Sequence, residues 1–240
     1  MSIDLSAPAI AALVRNRRDQ RVPFVHAVSL GTNCYAAWLL QGLGLRRGSH
    51  PFDWIFSTPA MVLDILDDDF RHFLDPAEHE RGGEPGRCRH RSYQARFGVE
   101  WVFNHHDPTR PEDARYFRRC VDRFRAVTGG PDKTLLLMIN IEAPVTPELF
   151  AQLCDAVERC GPDNTMLCIN VGCARDVLAM GMAEPFQIGR HRLRTYRSTS
   201  EIDGVRFANP LDDLVLRGAT MQFRFDLPPA RDDPELPVDR

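Results

Sequence analysis

The chain of 240 residues has no apolar run long enough to span a bilayer. Nor do its first twenty residues supply the uninterrupted apolar core of a signal peptide, because Asp4, Arg15, Arg17, Arg18 and Asp19 surround a short apolar stripe. A membrane protein is therefore not expected, and the cytoplasm is the expected location. An excess of either charge is missing as well: the formal net charge is -3, so bulk attraction to nucleic acid or an anionic membrane is not expected. The seven cysteines form no pair of C-x-x-C motifs, and Cys168 and Cys173 have no matching second pair, which argues against a structural zinc site. There is no P-loop, and Gly181 and Gly189 do not fall into a dinucleotide fingerprint, so no cofactor is expected. Internal repeats and a Pro-, Gly- or Ser-rich linker are missing too. The expected organisation is one domain over residues 1–228 and a disordered, acidic, Pro-rich tail over 229–240.

What the chain does have is 43% hydrophobic residues, enough for a sizeable core, arranged as alternating strand-like and helix-like segments. Residues 6–18 read as an amphipathic helix and Phe24 to Leu30 as a buried strand. Cys34 to Leu43 reads as a helix ending at Gly42 and Gly44. Ser57 or Thr58 caps a helix that begins near Pro59. Residues 76–92 carry no hydrophobic period and read as a long surface loop, a lid or merely a connection. Phe97 to Phe103 alternates apolar and polar, which predicts a second strand stopping at His105 and His106. Further helices are predicted from Pro111 to Gly129 and from Thr146 to Gly161, with continuous apolar strands at Leu135 to Ile141 and Met166 to Val171. Beyond these, 186–197 and 201–207 read as hairpin-like strands, Asn209-Pro210 starts a short helix, and 220–226 reads as a last strand. Near-continuous apolar strands alternating with helices imply an α/β fold: three layers, a mostly parallel sheet with helices on both faces.

Ligands of such sheets bind beyond the carboxyl ends of the strands. That rule selects Gly31 to Cys34, Asn104 to Asp107, Asn140 to Glu142 and Asn170 to Cys173. Cys34 stands out because a thiol in the first turn of a helix meets unpaired N–H groups and the positive end of the dipole, which should lower its pKa. The same N–H groups, helped by Asn33 or Thr32, suit an oxyanion. His105 and His106 end a strand and should point to opposite faces, so one of them faces Cys34, with Asp107 available to orient it. A metal is the rival use for Cys34, His105, His106 and Asp107, but adjacent histidines on an extended strand seldom reach one ion, and no metal is expected. The arginines 115, 118, 119, 123 and 125 read as a solvated helix face, one of which could bind a substrate carboxylate. His26 reads as a core histidine, and His50, His72, His79 and His90 carry little signal.

The segments Ser29-Leu-Gly-Thr-Asn-Cys34, Gly44-Leu-Arg46, Ser49-His-Pro-Phe-Asp-Trp-Ile55 and Phe103 to Asp107 together resemble a bacterial family of unknown function described as papain-like cysteine peptidases. The likeness is strongest over 28–74, moderate over 97–142 and faint beyond. It implies Cys34 as nucleophile and His106 as general base, with Asp53 or Asn140 as the orienting group, and it makes a papain-like α+β fold the alternative to the layered sheet. The expected activity is a cysteine-dependent hydrolase or acyl transferase acting on an amide, ester or thioester of a small molecule or peptide. Two other readings stand beside it. One is a non-catalytic ligand-binding domain with a structural cysteine; the other is an esterase-like hydrolase with Cys34 in place of serine and His191 as a possible base.

Overall fold

The structure is a computed structural model that describes residues 22–227 except 85, 142–143, 174–179 and 204. The helix expected over 6–18, the tail over 229–240 and Glu142 lie outside the described residues.

Apolar runs and caps account for the elements. The first strand, β1 (His26–Ser29), is followed by helix α1 (Tyr35–Gly42) and by α2 (Pro59–Asp67). Pro59 opens α2 and the Thr58 hydroxyl accepts the Met61 N–H at 3.1 Å, as expected of an N-cap. A small hairpin, β2 (His79–Arg81) and β3 (Cys88–His90), leads into α3 (Arg91–Phe97), and α4 (Pro111–Thr128) returns the chain to the sheet at β4 (Thr134–Asn140). Helix α5 (Pro147–Cys160), capped by Thr146, connects to β5 (Asn164–Cys173). Strands β6 (Gly181–Met182), β7 (Phe186–Ile188) and β8 (His191–Ser198), the pair β9 (Ile202–Asp203) and β10 (Arg206–Phe207), and helix α6 (Pro210–Thr220) complete the described chain.

The main sheet runs in the order β1-β4-β5-β8-β6, with β7 also on β8. Its β1/β4, β4/β5 and β5/β8 pairs are parallel, whereas β6 and β7 are antiparallel to β8. All seven residues of β4 are buried, as a strand covered on both faces requires. Alternate residues divide two cores. Val28, Leu136, Met138, Met166 and Cys168 pack with α2, α4 and α5 on one face. Ala27, Leu135, Leu137, Ile139, Leu167 and Ile169 pack with α1 and α6 on the other. This is the three-layer α/β arrangement expected from the periodicity; the alternative papain-like α+β fold is not formed.

Three expectations need correction. Residues 97–103 are not a strand of the sheet. Helix α3 extends to Phe97 and ends at Gly98, whose φ of 72° gives a left-handed stop. Phe103 then makes only isolated antiparallel bridges, to Ile55 and to Cys88, exchanging 2.9 and 3.1 Å backbone bonds with Cys88. Val99 packs on the core of α2 and α4, and both Val102 and Phe103 are buried in it, so the segment follows the core without a pleat. Second, the described residues of 76–92 form a 3-10 turn (Pro76–Glu78), the β2/β3 hairpin and the start of α3. Three-residue strands with mostly polar side chains leave no period to read. Third, 220–226 forms no strand: only Phe225 bridges Phe24, and Phe24, Phe223 and Phe225 pack as a ring cluster with centroids 5.5 and 5.9 Å apart.

Candidate active site

The carboxyl end of β1 becomes a tight turn because Leu30 still bonds Leu137 of β4 while Gly31 reverses the chain at φ 75°. No side chain would fit there, since a Cβ on Gly31 would sit 2.8 Å from Ser57 Oγ. The buried Thr32 hydroxyl then donates to the Ile139 carbonyl at 3.3 Å, tying the turn to the end of β4. Asn33 Oδ1 accepts the Tyr35 N–H at 2.9 Å, so the Asn33 carbonyl is used as a cap and its Nδ2 remains as a donor. Cys34 follows at the N-cap of α1, with helical φ and ψ and 6% exposure.

The Cys34 sulfur lies 3.5 Å from His105 Nε2. His105 is itself exposed and covers the buried thiol. It is delivered by the loop after Phe103, not by a sheet strand, so the expected four-strand rim consists of only three sheet ends. Its ring meets Trp54 edge-on with centroids 6.0 Å apart. Trp54 is in turn covered by the Arg46 guanidinium, 5.4 Å from the ring centroid. Arg46 and Asp53 form an ion pair of 2.9 Å with both side chains 1% exposed. Asp53 Oδ2 also accepts the His50 N–H at 2.9 Å, and Arg46 Nη2 donates to Ser49 Oγ at 3.0 Å. The Pro51-Phe-Asp-Trp54 segment is thus a braced platform under the imidazole.

The structure turns His106 toward α4. Its Nδ1 lies 2.9 Å from Asp113 Oδ1, and its ring stacks on Tyr116 with centroids 4.1 Å apart. The other oxygen of Asp113 accepts the Asp107 N–H at 2.8 Å, so one carboxylate at the start of α4 clamps the loop that carries His105. Asp107 serves its own turn: it accepts the Thr109 N–H at 3.1 Å and pairs with Arg81 at 3.1 Å and Arg110 at 3.6 Å. Burial pushes its carboxyl upward, but the Thr109 and Arg81 bonds outweigh that and hold it below the usual carboxylate range. Asn140 donates to Asn170 Oδ1 at 3.5 Å, and Asn170 holds Val145 through bonds of 2.9 Å in both directions. Among the described residues no hydrogen bond joins His105 to Asp53, Asn140 or any carboxylate. His191 lies far along the chain in another setting, bonded to Glu158 at 3.1 Å and to the Met166 N–H at 3.0 Å.

The electrostatics reverse one expectation. Burial pushes the Cys34 thiol up to about 11, with the Asp53 charge adding to the rise and a bond from its own backbone opposing it. The helix terminus does not win because α1 has eight residues, the Tyr35 N–H is already taken by Asn33, and desolvation of a thiolate is the larger cost. His105 is lowered, by partial burial first and by His106 second. Both shifts favour a neutral thiol beside a neutral imidazole. Burial also raises the Asp53 carboxyl, against the opposing charge of Arg46.

A cleft of about 430 Å³ opens beside this pair, lined among others by Thr32, Phe56, Ser57, Arg87, Trp101 and Asn104. Trp54, Asp113 and Tyr116 were not singled out from the sequence. The only signals for them were the Phe-Asp-Trp triplet and the acidic first turn of α4. Among the described residues no three His, Cys, Asp or Glu side chains converge as a metal site, and no helix is long and apolar enough to cross a membrane.

Neither the curated proteins nor the solved structures contain a match to the chain. Residues 25–167 do match the model of a family of unknown function, a span that runs from β1 into β5 and includes Cys34, Asp53, His105, His106 and Asn140. The chain belongs to that family, which is described as "Putative papain-like cysteine peptidase".

Proposed function

We propose that the protein is a cysteine-dependent hydrolase or acyl transferase in which Cys34 is the nucleophile and His105, in place of the His106 expected from the motif, is the general base. The observation that carries this reading is the 3.5 Å approach of Cys34 Sγ to His105 Nε2 at the end of a parallel strand. With both groups neutral, Nε2 takes the thiol proton as sulfur attacks the carbonyl carbon of an amide, ester or thioester. The carbonyl oxygen becomes an oxyanion, for which the Cys34 N–H and Asn33 Nδ2 are the proposed donors. Collapse breaks the bond to the leaving group, which receives the proton from Nε2, and leaves a thioester on Cys34. Water or an acceptor nucleophile, deprotonated by the same nitrogen, then releases the acyl group. Thr32 fixes the turn, the Arg46–Asp53 pair supports Trp54 under the imidazole, and Asp113 clamps the loop through His106.

The substrate class is a small molecule or a peptide, with no nucleic acid or membrane partner. All seven cysteines are free thiols, which supports a reducing compartment, the cytoplasm. A second reading, a ligand-binding domain with a structural cysteine, is favoured by the burial and raised pKa of Cys34. Incubation with p-nitrophenyl acetate followed by intact-mass spectrometry separates the two. A stoichiometric acyl adduct lost in both Cys34→Ala and His105→Ala is expected. An unmodified Cys34 favours the binding reading, and an adduct that survives His105→Ala but is lost in His106→Ala returns the base to His106.

A further inference from the structure

We infer that the cleft beside Cys34 is the acyl-side recognition site and that it takes an acyl group carrying an aromatic ring and a carboxylate. This rests on the acyl-transfer reading and names its substrate class. The cleft shares Thr32 with the turn into Cys34 and Asn104 with the loop into His105, so it adjoins the segments that carry the pair without being lined by Cys34 or His105 themselves. Its volume of about 430 Å³ suits a small acyl group or one to two residues of a chain.

Its walls have two chemistries. Trp101 is an aromatic platform contacted by two guanidinium groups: Arg89 lies 4.2 Å and Arg87 6.0 Å from its ring centroid, and Arg89 is itself tied to Glu100 at 2.7 Å. Phe56, Phe97 and Val99 continue that apolar wall, and Phe56 is 38% exposed, a large ring left facing open space. A flat aromatic guest fits between such surfaces. The polar side is Arg87, whose ion-pair partner at 3.1 Å is Glu84, a carboxylate 68% exposed. An exposed pair of this kind is worth little and exchanges readily for a carboxylate presented by a ligand in the cleft. The negative charge of Glu100, also on the cleft, is engaged by Arg89 and so does not cancel Arg87. Ser57 also lines the cleft, but its Oγ is buried toward Gly31 and so takes no part in the polar side.

The test uses Cys34→Ala protein, which cannot be acylated, and N-succinyl-L-phenylalaninamide as the probe, followed by isothermal titration calorimetry. Saturable 1:1 binding is expected, about tenfold weaker for Arg87→Gln and for Trp101→Ala, in line with losing one charged hydrogen bond or one aromatic contact. Arg87→Lys, which keeps the charge, should bind within a few-fold of the parent. N-acetyl-L-phenylalaninamide, without the carboxylate, should bind more weakly and be indifferent to Arg87→Gln. Absence of saturable binding, or binding untouched by the Arg87→Gln and Trp101→Ala changes, overturns the assignment. The wild-type reaction with p-nitrophenyl acetate, which needs no recognition in the cleft, separates the failures. A His105-dependent adduct without probe binding sinks the cleft alone, whereas probe binding without any adduct leaves a binding site and sinks the catalytic reading.

Discussion

Alkylation of Cys34 against pH probes the resting state of the pair directly. A thiol pushed up to about 11 is ionised to roughly one part in ten thousand at pH 7, about a hundredfold less than one at the ordinary value of 9.0. The thiolate of the weaker acid is the better nucleophile, and a Brønsted slope near 0.4–0.5 returns roughly eightfold over two pKa units. The net expectation is iodoacetamide alkylation about tenfold slower than that of a free thiol at pH 7, before any steric hindrance. The rate should climb with unit slope in log rate against pH through pH 9 and level only near 11. Quenched time points, digestion and mass spectrometry of the Cys34 peptide resolve it from the other six thiols. His105→Ala should leave the shape of this profile intact while abolishing acyl transfer, because the imidazole acts on the proton during attack and not before it. A reactive plateau between pH 5 and 8 would refute the reasoning. It would mean that a thiolate–imidazolium pair exists at rest and that the helix terminus outweighs burial.

Three further outcomes follow from the surroundings of the pair. Asp53→Ala strands the buried Arg46 guanidinium and should cost about 3–5 kcal/mol, or roughly 6–20 °C in thermal midpoint; a shift under 2 °C would show that the pair is not a brace. His50 is buried with no partner for Nδ1 among the described residues, and burial lowers it to about 3 from 6.5. The unfolded chain then binds a proton that the folded one does not, so stability is full above pH 6.5 and is lost as pH falls toward 3, by roughly 3–5 kcal/mol. Urea titrations at pH 7 and 4 should show this, and His50→Gln should flatten the difference. Asp113→Asn releases the clamp on His106 and the Asp107 N–H, and a loosened His105 should slow acylation by about 10- to 100-fold with a smaller effect on probe binding. Unchanged acylation in that variant would remove Asp113 from the positioning of the imidazole.

The layered fold was legible wherever burial leaves a continuous trace. Leu135 to Ile139 and Met166 to Val171 are covered on both faces and read as parallel strands, and Thr58-Pro59, Thr146-Pro147 and Asn209-Pro210 mark helix starts through local cap geometry. Reading failed where shape depends on distant partners. The alternation of Val99, Trp101 and Phe103 looks like a pleat, yet Phe103 pairs with Cys88 and Ile55 from other segments. The polar strands at 79–81 and 88–90 exist because they pair with each other.

For the candidate site, the amino-acid order by itself determined the setting of Cys34. A glycine that can reverse the chain, an Asn that can cap and a Cys that opens a helix are local properties, as is the helix start that carries Asp113. Which imidazole meets the sulfur was decided only by the tertiary structure. His105 and His106 are neighbours with the same chemistry, and their opposite orientations are set by Trp54 on one side and by Asp113 and Tyr116 on the other. The charge state of Cys34 was decided there too. The helix dipole can be read from sequence, but the desolvation that overrides it comes from the residues that bury the thiol.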